Sequence, residues 1–206
     1  MNTKEKLPQK VEALYRAVQE LIEEGVDINR IKVIEITERA GIGKGTAYEY
    51  FPNKEELISS AMLYHLNIIY HEVGEEIRKR KSLKEGIHFI LKAMDERIGQ
   101  RDCFLKCIHI LTDSGEISRR LREKIDEQKE KTDLYEDFIK EMIELGRQTG
   151  EIKSNLPEEY MYLNIASKLV GYAIYITESK SNYDKKEMQK LLCDGLLREF
   201  SGGIDY

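Results

Sequence analysis

Apolar side chains recur every three to four residues along almost the whole chain, and the β-branched alternation that a strand needs is nearly absent. Leu7, Val11, Leu14, Tyr15, Val18, Leu21 and Ile22 make one stripe, which predicts a helix that Gly25 ends. Val33, Ile36 and Ala40 mark one face of a short second helix closed by Gly41. A still shorter third, near 44–51, is cut off by Pro52. Asn53, with Glu56 three residues on, is a cap signature and opens a long helix running toward Lys81. The signature recurs at Ser82 with Glu85, at Asn155 with Glu158 (Pro157 in the first turn) and at Asp184 with Glu187. Gly115 and Gly150 punctuate the remainder into helices near 102–112 and 117–148. The pattern therefore predicts an all-α protein of about nine helices, three small ones and then six longer ones. No internal repeat or low-complexity linker interrupts it. The functional boundary is expected where the fourth helix starts, dividing the chain into 1–53 and 54–206 with that helix as a connector.

With 206 residues, 41% of them hydrophobic and 34% charged, the chain suits a globular protein with a full core. No stretch of about 18 apolar residues is present to span a bilayer, and the N-terminus lacks the apolar centre of a signal peptide. Three cysteines cannot all pair within one chain, so a reduced, cytoplasmic protein without membrane contacts is expected. Charge changes the picture more. The net charge is −5, and residues 1–57 carry 9 Lys and Arg against 11 Asp and Glu. Bulk electrostatics do not advertise nucleic acid. Any DNA site must rest on a few placed cations and backbone amides.

Two short helices joined by a glycine-containing turn are nevertheless what a helix-turn-helix requires. Gly41 can take the left-handed geometry that ends the first, and Ala40 leaves room for a close crossing. Lys44 begins the third helix, where a cation and free amides can meet a phosphate. Thr46 offers a hydroxyl and a methyl for a phosphate or a thymine edge, Tyr48 and Tyr50 are phenolic donors of fixed reach, and Lys54 opens the fourth helix. The order Ala40-Gly41, Gly45-Thr46, Tyr48-x-Tyr50-Phe51 and Asn53-Lys54-Glu55 closely resembles the signature of the tetracycline-repressor (TetR) family. With the first helix included, the likeness covers about 50 residues. Further on, Thr149-Gly150-Glu151-Ile152 resembles the family more faintly.

The resemblance implies that Lys44, Thr46, Tyr48, Tyr50 and Lys54 touch DNA, mostly at phosphates, while Ile42, Ala47 and Phe51 pack the small domain. Three positions depart from the family pattern. Gly43 replaces a capping hydroxyl and leaves only its backbone amide for a phosphate, as Gly45 does. Ile34 stands where a polar base-reader is usual, so a thymine methyl is its best contact. Glu49 puts an anion on the reading helix, to accept from a cytosine amino group or to point away.

For the C-terminal part the resemblance implies a ligand chamber among the middle helices and a dimer. Expected lining residues are Tyr64, His88, Phe104, Ile108 and Tyr135, followed by Phe138, Met142, Tyr162 and Tyr172. Ordinary core packing is the alternative for each of them. Such walls suit a small organic effector. Cys103 and Cys107 share a face but make an incomplete metal site, so no metal and no cofactor is expected. Ala166, Val170, Gly171 and Ile174 on the penultimate helix, with Met188, Leu192, Gly195 and Leu196 on the last, are expected to form a four-helix interface with a twin chain. Gly41-Ile-Gly-Lys-Gly-Thr46 lacks the strand and spacing of a phosphate loop, and no nucleophile elbow occurs, so catalysis has no support. The expectation is a ligand-responsive repressor that binds a palindromic double-stranded operator as a homodimer. The alternative is a helical adaptor without DNA affinity.

Overall fold

The computed structural model describes residues 7–98, 114–131, 138–153, 155–178 and 183–202. Among these residues there are nine helices and no strand. They are α1 (Gln9–Glu23), α2 (Val33–Ala40), α3 (Lys44–Tyr50), α4 (Lys54–Arg78), α5 (Leu83–Ile98), α6 (Glu116–Lys131), α7 (Phe138–Gln148), α8 (Glu158–Glu178) and α9 (Lys185–Phe200). The helix expected near 102–112 lies outside the described residues. The stretch expected as one helix over 117–148 is described as α6 and α7, with 132–137 again outside.

Local chemistry places most helix ends. The Glu56 amide donates to Asn53 Oδ1 at 2.8 Å, Glu85 to Ser82 Oγ at 3.2 Å and Glu187 to Asp184 Oδ1 at 2.8 Å, each satisfying a donor that the first turn leaves open. The expected Asn155 cap is corrected: α8 starts at Glu158, and Met161 donates to the Pro157 carbonyl, so Pro157 itself holds the cap position. At the end of α1, Gly25 turns left-handed (φ 90°) and Val26 reaches back to the Leu21 carbonyl at 3.1 Å.

Packing divides the chain into two compact units. Residues 7–70 group with 114–131, and residues 71–98 group with 138–202. The first unit is built around Leu14, Val18 and Ile22 of α1, Ile36 of α2, Ala47 of α3, and Leu57, Ile58 and Met62 of α4, all 2% exposed or less. Ile117 and Leu121 of α6 enter the same core. In the second unit Leu83 and Ile87 of α5, Met142 and Ile143 of α7, Met161 and Ile165 of α8, and Phe200 of α9 are fully buried. Gly86 and Gly146 permit that closeness. A Cβ on Gly86 would stand 2.8 Å from Met142 Sδ, and one on Gly146 would stand 2.9 Å from two Ile152 side-chain atoms. The Glu151 carboxylate then accepts from the amides of Leu83 (2.6 Å) and Lys84 (3.2 Å), tying the start of α5 to the turn after α7. No helix among the described residues is long and apolar enough to cross a membrane.

Candidate nucleic-acid interface

The turn between α2 and α3 works through one residue. Gly41 adopts φ 66°, which lets the Ile42 amide reach the Thr37 carbonyl at 2.9 Å and the Gly41 amide reach Glu38 at 3.2 Å. The chain leaves α2 sharply, runs extended through Gly43, and starts α3 when the Gly43 carbonyl accepts from Ala47 at 3.2 Å. Ala47 (2% exposed) and Phe51 (8%) anchor α3 from beneath, and Ile42 packs at the core's edge. Helical geometry then sends the intervening side chains outward. Lys44, Gly45, Tyr48, Glu49 and Tyr50 are exposed and Thr46 is half-buried.

This face is unusual for a protein in water. Ile34, Tyr48 and Tyr50 are 43%, 45% and 41% exposed, so three large side chains stand out around a short helix. Lys44 Nζ lies 5.9 Å from the Tyr48 ring centroid, leaning on the phenol that stands one turn later. The remaining cations are more constrained. Arg39 forks onto Glu24 at 2.6 and 2.8 Å, with Glu20 at 3.7 Å, and so pins α2 to the end of α1. That hydrogen bond holds the Glu24 carboxyl below the usual carboxylate range. Lys54 Nζ donates to the Asn29 carbonyl at 3.0 Å, which leaves two of its three N–H groups for a phosphate.

Behind the face, the Tyr15 ring lies 5.8 Å from Phe51 and 5.3 Å from Tyr64, and His65 Nε2 is 3.1 Å from the Tyr15 carbonyl oxygen. Burial pushes the Tyr15 phenol up. Glu56 joins α4 to α6 by accepting from Lys124 and, at 3.3 Å, from Arg120. Burial pushes the Glu56 carboxyl up, but the Lys124, Arg120 and Ser60 contacts together outweigh it and hold the group below the usual range.

Six of the nine expected chamber residues lie among the described residues. Tyr64 packs in the first unit against Tyr15, whereas the other described ones belong to the second. His88 is exposed on α5, whose buried side is made by Ile87, Ile90 and Leu91. Met142 is fully buried, and Phe138 and Tyr162 are half-buried. Tyr172 is 2% exposed, but its hydroxyl is engaged: Gln189 Nε2 donates to it at 2.9 Å and to Asp95 Oδ2 at 2.7 Å. Burial pushes this phenol up to about 12. Phe104, Ile108 and Tyr135, like Cys103 and Cys107, lie outside the described residues.

Sequence reasoning missed a cleft of about 400 Å³ in the second unit, lined by His71, Glu72, Val73, Glu75, Glu76, Phe89 and Ala93. Its charges are balanced in place, since Arg78 holds Glu75, Lys79 and Arg80 hold Glu76, and the Arg80 guanidinium covers the Phe89 ring at 4.4 Å. No cluster of three or more His, Cys, Asp or Glu among the described residues could hold a metal ion.

A second exposed apolar face lies on α8 and α9. Leu163 (65% exposed), Val170 (38%) and Ile174 (44%) line one side of α8, and Leu191 (55%) stands out from α9. Beyond their own stretch of helix backbone, nothing among the described residues lies within 4 Å of where a Cβ on Gly171 or Gly195 would be. Of the expected interface residues, Gly171 is exposed and Ala166, Met188, Leu192 and Gly195 are half-buried. Leu196 is corrected: it is 1% exposed and packs into the unit's own core. Leu163 and Leu191 were legible in phase, one two turns before Val170 and the other one turn after Met188.

Comparison with known proteins agrees with this arrangement. Residues 14–61 match the family model "Bacterial regulatory proteins, tetR family". The "Fatty acid metabolism regulator protein" of Bacillus subtilis (strain 168) is 27% identical over 159 residues, covering 74% of this chain and 75% of that protein. Among solved structures, the transcriptional regulator FadR from Bacillus subtilis, in complex with stearoyl-CoA, superposes with a TM-score of 0.63 at 20% identity, covering 96% of this chain and 98% of that one. FadR of Thermus thermophilus, a repressor in complex with lauroyl-CoA, gives 0.63 at 19% identity, covering 95% and 96%.

Proposed function

Because residues 14–61 match the tetR family of bacterial regulatory proteins, we propose that the chain is a member of that family, a DNA-binding transcriptional repressor released from its operator by an acyl-coenzyme A thioester. The observation that carries the DNA-binding half is the outward face of α2 and α3. Ile34 stands exposed there on α2, and Lys44, Tyr48 and Tyr50 on α3, which Ala47 and Phe51 anchor from below. In this reading Lys44, Tyr48, Tyr50 and Lys54 hold phosphates, the open amides at Gly43 and Gly45 assist, and Thr46 and Ile34 meet base edges. Glu49 reads a cytosine amino group if it enters the groove.

Two heads are needed for a palindromic operator, with half-site centres about 34–36 Å apart per helical turn. The exposed stripe on α8 and α9 suits the homodimer that supplies them. Functionally, residues 1–53 read DNA and residues 54–206 sense the effector and dimerise. The effector class rests on the relatives: the curated one is a fatty acid metabolism regulator, and two structural neighbours hold stearoyl-CoA and lauroyl-CoA. An acyl chain is the organic, mostly apolar ligand that a helical chamber accommodates. A thioester that prefers the DNA-incompetent state by about 1.4 kcal/mol weakens operator binding tenfold.

The test has two stages. Selection from random duplexes should return an approximate palindrome. Stearoyl-CoA or lauroyl-CoA should then release it, while free coenzyme A and zinc should not. No enrichment of any sequence would return the protein to the adaptor class. Release by zinc alone would replace the effector class.

A further inference from the structure

Two sides of α9 compete for the interior of the second unit. Gln189, Cys193, Leu196 and Phe200 face inward, while Met188, Leu191, Leu192 and Gly195 make the neighbouring, outer side. Along the first half of the helix the outer set is the more apolar, yet Leu191 is 55% exposed and Gln189 only 3%. A turn of one residue, about 100°, would exchange the sides and take Leu191 out of water. Apolar burial favours that other setting of the helix, so a polar contact has to oppose it.

The opposing contact is a closed set of hydrogen bonds at Gln189. Its Nε2 donates to Asp95 Oδ2 at 2.7 Å and to the Tyr172 hydroxyl at 2.9 Å, with the Leu91 carbonyl at 3.4 Å. The Tyr172 phenol in turn donates to Asp95, whose other oxygen has Lys185 Nζ at 3.5 Å. Leu91 and Asp95 stand on α5, Tyr172 on α8, and Lys185 and Gln189 on α9, so the set ties three helices together. Any other rotation of α9 would carry the Gln189 amide away from the Asp95 carboxylate. A buried polar group fixes a register in this way, because a slip leaves its partners unpaired. We propose that Gln189, held by Asp95 and Tyr172, is a register pin that keeps α9 turned with its more apolar side outward, where the twin chain can cover it. Gln189 is a positioning residue: it lies inside its own chain and acts through the placement of Met188, Leu191 and Leu192.

This rests on the homodimer proposed above, and sedimentation of the full-length protein at micromolar concentration separates the two. Q189L removes the amide and leaves Asp95 its contacts with Tyr172 and Lys185. It should keep helix content while raising the dimer dissociation constant at least about tenfold. Cys193, one turn beyond Gln189 on the inward side, is 3% exposed and reports the rotation. In a C103S/C107S background a thiol reagent should reach it several times faster with Q189L than without. Q189E sets two carboxylates against each other and should split the dimer further. Q189E combined with D95N reverses the hydrogen bond and should restore both the dimer and the guarded thiol. Either a Q189L dimer as tight as wild type or an equally guarded Cys193 overturns the pin and leaves the dimer standing. If Q189L loses helix content, the reversed pair decides, and its failure to recover the dimer overturns the pin as well. A wild type that sediments as a monomer removes the dimer reading, and the pin with it.

Discussion

On α2 and α3 the exposed large side chains are Ile34, Tyr48 and Tyr50, interleaved with Lys44, Glu49 and two glycines; on α8 and α9 they are the aliphatic Leu163, Val170, Ile174 and Leu191, with Gly171 and Gly195 on the same helices, and Tyr160, whose hydroxyl is taken by Glu199. The two faces are alike in apolar bulk and different in their tips. A phenol can keep a hydrogen bond while its ring is covered, so it suits a wet, charged partner. An isobutyl group gains only by leaving water, roughly 25 cal/mol for each Å² covered, and so suits a dry protein surface. The supports differ as well. The first face sits over a closed core, whereas the second belongs to helices whose outward stripe is left uncovered among the described residues. In the proposed reading the first face meets DNA and the second meets a twin chain.

The sharpest break of that comparison is Leu163→Asp. A carboxylate in a dry interface costs several kcal/mol, so sedimentation at micromolar concentration should show monomers. Helix content should stay, because Leu163 is 65% exposed within the monomer. A dimer persisting in this variant would move the interface elsewhere.

Glycines on opposite sides of the second unit sharpen the contrast. Gly146→Ala places a Cβ against Ile152 and, at 3.0 Å, Leu83, and should cost about 1–3 kcal/mol, read as a lower melting temperature. Gly171→Ala meets nothing in the monomer and should gain up to about 1 kcal/mol of helix propensity there. Gly171→Leu should keep that monomer stability while splitting the dimer. Equal melting shifts for Gly146→Ala and Gly171→Ala would erase the distinction between an inward and an outward glycine.

At the reading face, Tyr48→Phe removes a donor and leaves the ring that carries Lys44. Operator affinity should fall by about 1 kcal/mol with the oligomer unchanged, as gel shift and sedimentation on the same preparation would show. Unaltered affinity would remove Tyr48 from the phosphate contacts.

The smallest effect concerns acid. Glu56 has a folded value below the ordinary carboxylate one. Its contribution to stability is therefore present above about pH 4.3 and is lost as pH falls through the lower folded value. Glu56→Gln should flatten the fall of melting temperature in that acid window and leave the neutral range nearly unchanged. A profile identical to wild type would show that the Lys124 and Arg120 contacts do not discriminate between charged and neutral Glu56.

Caps and turns were legible because their physics is local. A side-chain oxygen three residues before a free amide, as at Asn53, Ser82 and Asp184, needs no knowledge of the rest of the chain, and neither does a left-handed Gly41. The reading face was legible for a related reason. Helical phase puts Ala47 and Phe51 on one side and Tyr48 on the other, whatever the helix packs against. By itself the sequence determined the all-helical class, the helix starts at Asn53, Ser82 and Asp184, the helix-turn-helix and the outward residues of α3.

Tertiary structure decided which of several apolar positions faces which neighbour. Leu192 and Leu196 look equivalent in the sequence, yet one is half-buried near the outer stripe and the other lies in the core. Only the fold brings Gln189, seventeen residues away, to the Tyr172 hydroxyl. The grouping of α6 with the reading head depends on Ile117, Leu121 and the ion pairs to Glu56, contacts some sixty residues apart in the chain. Periodicity states that a helix has an apolar side. Only the packing of distant segments, each competing to fill the same volume, settles what that side meets.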